Sequence, residues 1–309
     1  MDILSTANSD LIPVLAPSEN SEIFQEKHTI LTNDGLKLHM HGWRGSAEPD
    51  KVMVIVHGLG GHGAYYHTSV APYITPNRTA LYAPDLRGHG LSEGKRGDIE
   101  TFQHFQTDIT AAVRWARERH PGLPLFLMGE SMGTSIAITY AATASTEAQP
   151  DYLILVACVV APTVSPHPEE ILRTIYYLAR DRRRCAIPIT GREEQGIRDL
   201  EFIKVLKSDA LFNRKVSVRF LSNMTMHMQK AARLHSHLTM PVFFAQGGRD
   251  ITVNHRRTRA FFQRITASDK ELHYFPEAYH ALLNDPDSPL VRQRLLDWME
   301  RQSNQSKKR

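Results

Sequence analysis

The segment Gly129-Glu130-Ser131-Met132-Gly133 concentrates more potential chemistry than any other stretch of the chain. An apolar run, Leu123 to Met128, precedes it, and an Ala- and Thr-rich helical stretch, Thr134 to Ala144, follows. A serine at a sharp strand-to-helix turn presents its hydroxyl at the end of a sheet. The strained backbone there leaves room only for glycine two residues to either side. Such a serine attacks a carbonyl when a base takes its proton and a third group orients the base. Downstream, Asp250 closes Gly247-Gly248-Arg249-Asp250 after the apolar run Pro241 to Ala245, and His280 closes Ala278-Tyr279-His280 after Leu272 to Phe275. Each lies just past a predicted strand, and the order Ser131, Asp250, His280 is one in which nucleophile, acid and base occur. Other acids are worse placed: Asp181, Asp199 and Asp209 fall in a helical region, and Asp151 precedes a strand. His273 sits inside a strand and is expected to pack or be solvated.

Acyl transfer also needs two N–H donors aimed at a tetrahedral oxyanion. The backbone N–H of Met132, the residue after the nucleophile, is one candidate. Leu59, in the loop His57-Gly58-Leu59-Gly60-Gly61-His62-Gly63 after the strand Lys51 to Val56, is the other. The same loop formally fits a dinucleotide fingerprint, Gly58-x-Gly60-x-x-Gly63 with Asp85 ending the next strand 22 residues on. That reading would leave Ser131, Asp250 and His280 without a task, so no cofactor is expected. Asp85-Leu-Arg-Gly-His-Gly-Leu-Ser92 reads as a loop-shaping turn. His57, His62, His67 and His89, and His235 with His237, have no carboxylate or Cys at ligand spacing in the sequence, so no metal site is expected.

These residues need a scaffold that brings several strand ends to one rim. Lys51–Val56, Thr79–Ala83, Leu123–Met128, Tyr152–Val156, Pro241–Ala245 and Leu272–Phe275 are short, continuously apolar runs. Such runs predict strands covered on both faces, hence a mostly parallel sheet. Between them, Phe102, Phe105, Ile109, Val113 and Ala116 recur at helical spacing, as do Leu290, Val291, Leu295, Trp298 and Met299 after Ser288-Pro289. The fold class is α/β, with helices on both faces. His28–Leu31 and Leu36–Met40, split by Asn33-Asp34-Gly35, predict an antiparallel hairpin at the sheet edge. From about Pro162 to Leu238 the pattern is helical throughout, predicting an inserted helical cap over 163–237. The core comprises 28–162 and 238–301, with a loose leader over 1–27 and a tail over 302–309. The cap carries 14 Lys and Arg against 8 Asp and Glu; elsewhere there are 23 against 25.

A chain of 309 residues, 41% hydrophobic and 23% charged, excludes disordered and fibrous classes. Its net charge of +4 is mild for a nucleic-acid binder, and no such partner is expected. The longest apolar run, Leu153 to Pro162, is about half of what a bilayer crossing needs. Leu11–Ala16 lacks a preceding basic residue and does not read as a secretory signal. Two cysteines, Cys158 and Cys185, make no disulfide framework and are expected to be free thiols in a reducing, cytoplasmic setting.

His57-Gly58, Asp85-Leu-Arg-Gly-His-Gly90, Gly129-Glu-Ser-Met-Gly133, Gly248-Arg249-Asp250 and His280 together resemble the α/β-hydrolase superfamily. Within it they resemble the monoacylglycerol lipase and lysophospholipase-like branch, also grouped with serine aminopeptidases. The resemblance spans about residues 28 to 300, strong in the core and weak in the cap. Many members carry His where this chain has Glu130. The resemblance implies a serine esterase acting on an acyl ester or lipid through an acyl-enzyme; a peptidase of the same fold and a non-catalytic receptor are the alternatives. On the esterase reading, Met224, Met226 and Met228 are candidates to line an acyl channel, although Met at helical spacing is also ordinary packing. Arg180-Asp-Arg-Arg-Arg184 is a candidate peripheral membrane contact of the basic cap, against the plainer expectation of a solvated charge run.

Overall fold

A computed structural model describes residues 22–163, 168–191 and 193–306. The edge hairpin pairs β1 (Phe24–Leu31) with β2 (Lys37–Arg44), antiparallel from Phe24 opposite Arg44 to Leu31 opposite Lys37. Gly35, at φ 81°, supplies the left-handed residue of the turn, and Thr32 Oγ1 accepts from Leu36 N–H at 2.9 Å. The strand therefore begins within the segment expected to be loose up to residue 27; residues 1–21 lie outside the described residues.

Next come β3 (Lys51–Val56), two single-turn helices, α1 (Tyr66–Ser69) and α2 (Ala71–Ile74), and then β4 (Thr79–Pro84). They are followed by α3 (Gln103–Arg119), β5 (Leu125–Glu130), α4 (Met132–Thr143) and β6 (Tyr152–Val156). β3 explains the unbroken apolarity of these strands: Val52, Val54 and Val56 pack into one layer with α3 and α4, while Met53 and Ile55 face the other.

Between β6 and the next sheet strand lie α5 (Pro168–Arg180), β7 (Cys185–Pro188), α6 (Glu193–Gly196), α7 (Leu200–Ser208), β8 (Lys215–Ser217) and α8 (Val218–Ala231). The expectation of a purely helical segment is corrected here, because β7 and β8 pair antiparallel. Strands of four and three residues are too short to display a period of two. Ser217 caps α8 by accepting from Phe220 N–H at 2.9 Å, and Phe220, Met228 and Ala231 of that helix join the core beside α4. α5 is its opposite: it buries none of its residues, and Leu172 is 69% exposed.

The chain then returns through β9 (Val242–Gly247), α9 (His255–Arg264), β10 (Lys270–Phe275) and α10 (Ser288–Ser306). α10 continues past residue 302, where a tail was expected; 307–309 lie outside the described residues. The eight-stranded sheet has the order β1-β2-β4-β3-β5-β6-β9-β10. From β4 to β10 every pairing is parallel, so all six strands end on the same rim. Cys158 and Cys185 are free thiols, and burial pushes the Cys158 thiol up to about 12. Among the described residues no helix is long and apolar enough to cross a membrane.

Candidate active site

Ser131 follows the last residue of β5 and precedes the first of α4. Its backbone is held at φ 53°, ψ −121°, outside the regions favoured by L-residues, and its N–H donates to the Val156 carbonyl at 3.0 Å. The flanking glycines are required by contact. A Cβ on Gly129 would stand 2.6 Å from the Gly133 oxygen, and one on Gly133 would stand 2.1 Å from the Val56 oxygen.

The three residues that sequence reasoning placed past separate strand ends meet here. Ser131 Oγ lies 2.7 Å from His280 Nε2, and His280 Nδ1 lies 2.7 Å from Asp250 Oδ2. Asp250 is fully buried. Its carboxylate also accepts from Gln246 Nε2 at 3.0 Å, Thr252 N–H at 2.9 Å and Thr252 Oγ1 at 2.6 Å. Burial opposes its ionisation, yet His280 and the two Thr252 donors hold its pKa below the ordinary carboxylate value. For His280, burial opposes the proton, but the Asp250 carboxylate, aided by Glu130, raises the pKa above that of a free imidazole. In this arrangement the Asp250 carboxylate fixes the orientation of the His280 ring and can stabilise a positive charge on it.

The loop after β3 passes beside the serine: a Cβ on Gly58 would come 3.2 Å from Ser131 Cβ. His57 Nδ1 donates to the Gly58 carbonyl at 2.9 Å and its Nε2 accepts from Leu86 N–H at 3.1 Å, so His57 braces the loop as a neutral ring. Burial lowers its pKa to about 4. Leu59 lines the cavity in front of Ser131. Met132 begins α4, where a helix leaves its first N–H groups without an internal acceptor.

Asp85 is a loop-shaping residue, as expected. Its oxygens accept from Gly63 N–H at 2.7 Å and Leu91 N–H at 2.8 Å, and although burial alone would raise its pKa, His41 and these bonds lower it to about 2. The four histidines His57, His62, His67 and His89 have no carboxylate at ligand spacing in the sequence, but the fold brings one to His62: one ligand atom each of His41, His62 and Asp85 lie within 4.8 Å of one another. Sequence spacing hides this because the three come from β2, the loop after β3 and the end of β4. The glycines of the supposed dinucleotide fingerprint are packed against protein. A Cβ on Gly60 would meet the Asn213 oxygen at 2.9 Å, and one on Gly63 the Ala83 oxygen at 2.4 Å. His273 stacks on Phe243 and pairs with Glu271, away from the serine.

A cavity of about 630 Å³, lined mainly by apolar side chains, opens onto Ser131 and His280. Met224 and Met228 line it; Met226 is 59% exposed and does not. Sequence reasoning missed two polar groups and the partner of a third, Glu130. Thr252 and Gln246 bracket Asp250, and the two-residue step from Asp250 to Thr252 suits a side chain accepting from a nearby backbone N–H. Glu130, on the cavity wall, accepts from the Tyr66 hydroxyl at 2.7 Å, and burial raises its pKa despite Tyr66 and His280.

A mostly parallel sheet with Ser131 on a strand-to-helix turn is the architecture of an α/β-hydrolase. Residues 47–287 match the family model described as serine aminopeptidase, S33, and the chain belongs to that family. The chain is 26% identical to a monoacylglycerol lipase of Mycolicibacterium smegmatis, over 89% of this chain and 97% of that protein. It is 27% identical to the monoglyceride lipase of Mus musculus, over 84% of each. Among solved structures, a soluble variant of monoglyceride lipase from Saccharomyces cerevisiae, in complex with a substrate analog, superposes with a TM-score of 0.76 at 19% identity. That match covers 88% of this chain and 94% of the yeast chain.

Proposed function

We propose that this protein is a serine hydrolase that cleaves carboxylic esters of the monoacylglycerol type through an acyl-enzyme, with Ser131, His280 and Asp250 as its triad. The observation that carries this is the hydrogen-bonded line from Ser131 Oγ through His280 to Asp250, facing an apolar cavity. His280 Nε2 takes the Ser131 proton as Oγ attacks the ester carbonyl. The N–H groups of Leu59 and Met132 receive the oxyanion, and Asp250 stabilises the imidazolium. The imidazolium returns its proton to the departing alcohol, and a water molecule repeats the sequence on the acyl-serine. Residues 163–237 act as a cap, with Ile189, Phe202, Leu206, Phe212, Met224 and Met228 contributing its apolar wall for an acyl chain. The exposed Leu172, Ile175 and Tyr176 of α5, followed by Arg180–Arg184, are the surface through which the cap would touch anionic lipid.

The test is a panel of p-nitrophenyl esters from acetate to palmitate, followed by monoacylglycerol and lysophosphatidylcholine, with aminoacyl p-nitroanilides alongside. Rising kcat/KM with chain length and turnover of monoacylglycerol are expected. Long chains no better than acetate would remove the lipid reading, and preference for the anilides would replace it with a peptidase.

A further inference from the structure

The cap does more than roof the cavity, because one of its acidic residues is bolted to the loop that carries Leu59. Asp209 follows α7, and its Oδ2 accepts from His62 Nε2 at 2.7 Å and from the Tyr65 hydroxyl. His62 is buried, and Asp209 is held in place from its own side: Oδ1 accepts from Leu211 N–H at 2.7 Å, and its carbonyl accepts from Arg214 Nη2 at 3.0 Å. Four residues further, Asn213 N–H donates to the Gly60 carbonyl at 2.9 Å, while Asn213 Nδ2 donates to the Gly88 carbonyl at 2.8 Å. Gly60 itself is at φ 77° with no space for a side chain against this segment. The loop is thus clamped between two bodies, the serine turn at Gly58 and the 209–213 segment at Gly60, His62 and Tyr65, with Leu59 between them.

An oxyanion donor works only if its direction is set before the charge appears, and losing one such donor costs about 100- to 1000-fold in kcat. We propose that Asp209, acting through His62 and Tyr65, is a positioning residue that fixes the Leu59 N–H for the oxyanion, so that the cap completes the catalytic centre. This rests on the esterase reading above. It makes the Asp209 end of the cap a fixed part of the site in every turnover.

The test compares full-length wild type, Asp209→Ala, Asp209→Asn and Tyr65→Phe on p-nitrophenyl butyrate, with kcat normalised to sites titrated by a fluorophosphonate. A bond that orients a transition-state donor acts on kcat and leaves KM nearly unchanged. The expected result is a fall of about 10- to 100-fold in normalised kcat for Asp209→Ala, with KM within about twofold. Asp209→Asn, which keeps an acceptor oxygen, recovers part of the loss, and Tyr65→Phe gives a smaller loss of the same kind. Normalised kcat within about twofold of wild type in Asp209→Ala overturns the proposal, however far its melting temperature falls. If that variant does not fold, Tyr65→Phe decides alone, since it deletes one hydroxyl. Absence of Ser131-dependent turnover in wild type would overturn the esterase reading and this proposal with it. Normal wild-type turnover with insensitive variants overturns the positioning role only.

Discussion

Replacing Gly133 by alanine tests whether the tightness of the serine turn matters to reactivity. The added Cβ would stand 2.1 Å from the Val56 oxygen and 2.8 Å from the His57 oxygen, both backbone atoms. Carbon and carbonyl oxygen normally approach to about 3.3 Å, so the first turn of α4 must retreat from β3 by roughly 1 Å. Forcing a methyl into packed surroundings costs about 1–3 kcal/mol. The same displacement moves Ser131 and the Met132 N–H relative to His280, and a 1 Å misplacement can cost about 100-fold. The expected result for Gly133→Ala is kcat on p-nitrophenyl butyrate reduced about 100-fold per folded molecule, with melting lowered by several degrees. Gly122→Ala is the control: it has nothing within 4 Å and φ 76°, so it carries about 1–2 kcal/mol of backbone strain far from the site and should keep its kcat. If Gly133→Ala holds kcat within about threefold of wild type while folded, the inference from glycine contact to catalytic geometry fails.

Asp250→Asn should lower kcat by about 1,000- to 10,000-fold with little effect on folding, because the amide no longer stabilises the His280 imidazolium; a loss under tenfold would contradict the role given to the acid. Glu130→Gln removes a negative group that raises the His280 pKa, so the acid limb of the kcat/KM profile should move to lower pH; an unchanged or upward-shifted limb would show that Glu130 does not act on the base. Asp85 has its folded pKa depressed to about 2 from 3.8, so its contribution is complete above the unfolded value and is lost as pH falls through the folded one. Its ionisation contributes roughly 2 kcal/mol at neutral pH, and urea midpoints of Asp85→Asn should be lower than wild type at pH 7 and converge with it near pH 2.

Much of the scaffold was readable because its signals are local. A strand buried on both faces writes itself as five or six consecutive apolar residues, and of the glycines around Ser131, Gly129 is dictated by contact within the turn and Gly133 by contact with the end of β3. Strand ends on one rim then bring Asp250 and His280 to the serine without further information. What remained hidden depends on contacts between distant segments. Asp209 was passed over as a residue of a helical region, yet it stands on the loop after α7 and meets His62 and Tyr65. The His41, His62 and Asp85 cluster joins three elements that no spacing rule relates. The Glu130–Tyr66 pair joins the first residue of α1 to the last residue of β5, 64 positions apart, and β7 and β8 are too brief to stand out from their helical neighbours.

Intact-mass and peptide analysis after treatment with a fluorophosphonate tests the central claim most directly. The account predicts one covalent adduct per chain, located on Ser131, formed slowly in His280→Ala and absent from Ser131→Ala. A folded protein that takes up no adduct, or that is modified equally after Ser131 is replaced, would contradict it.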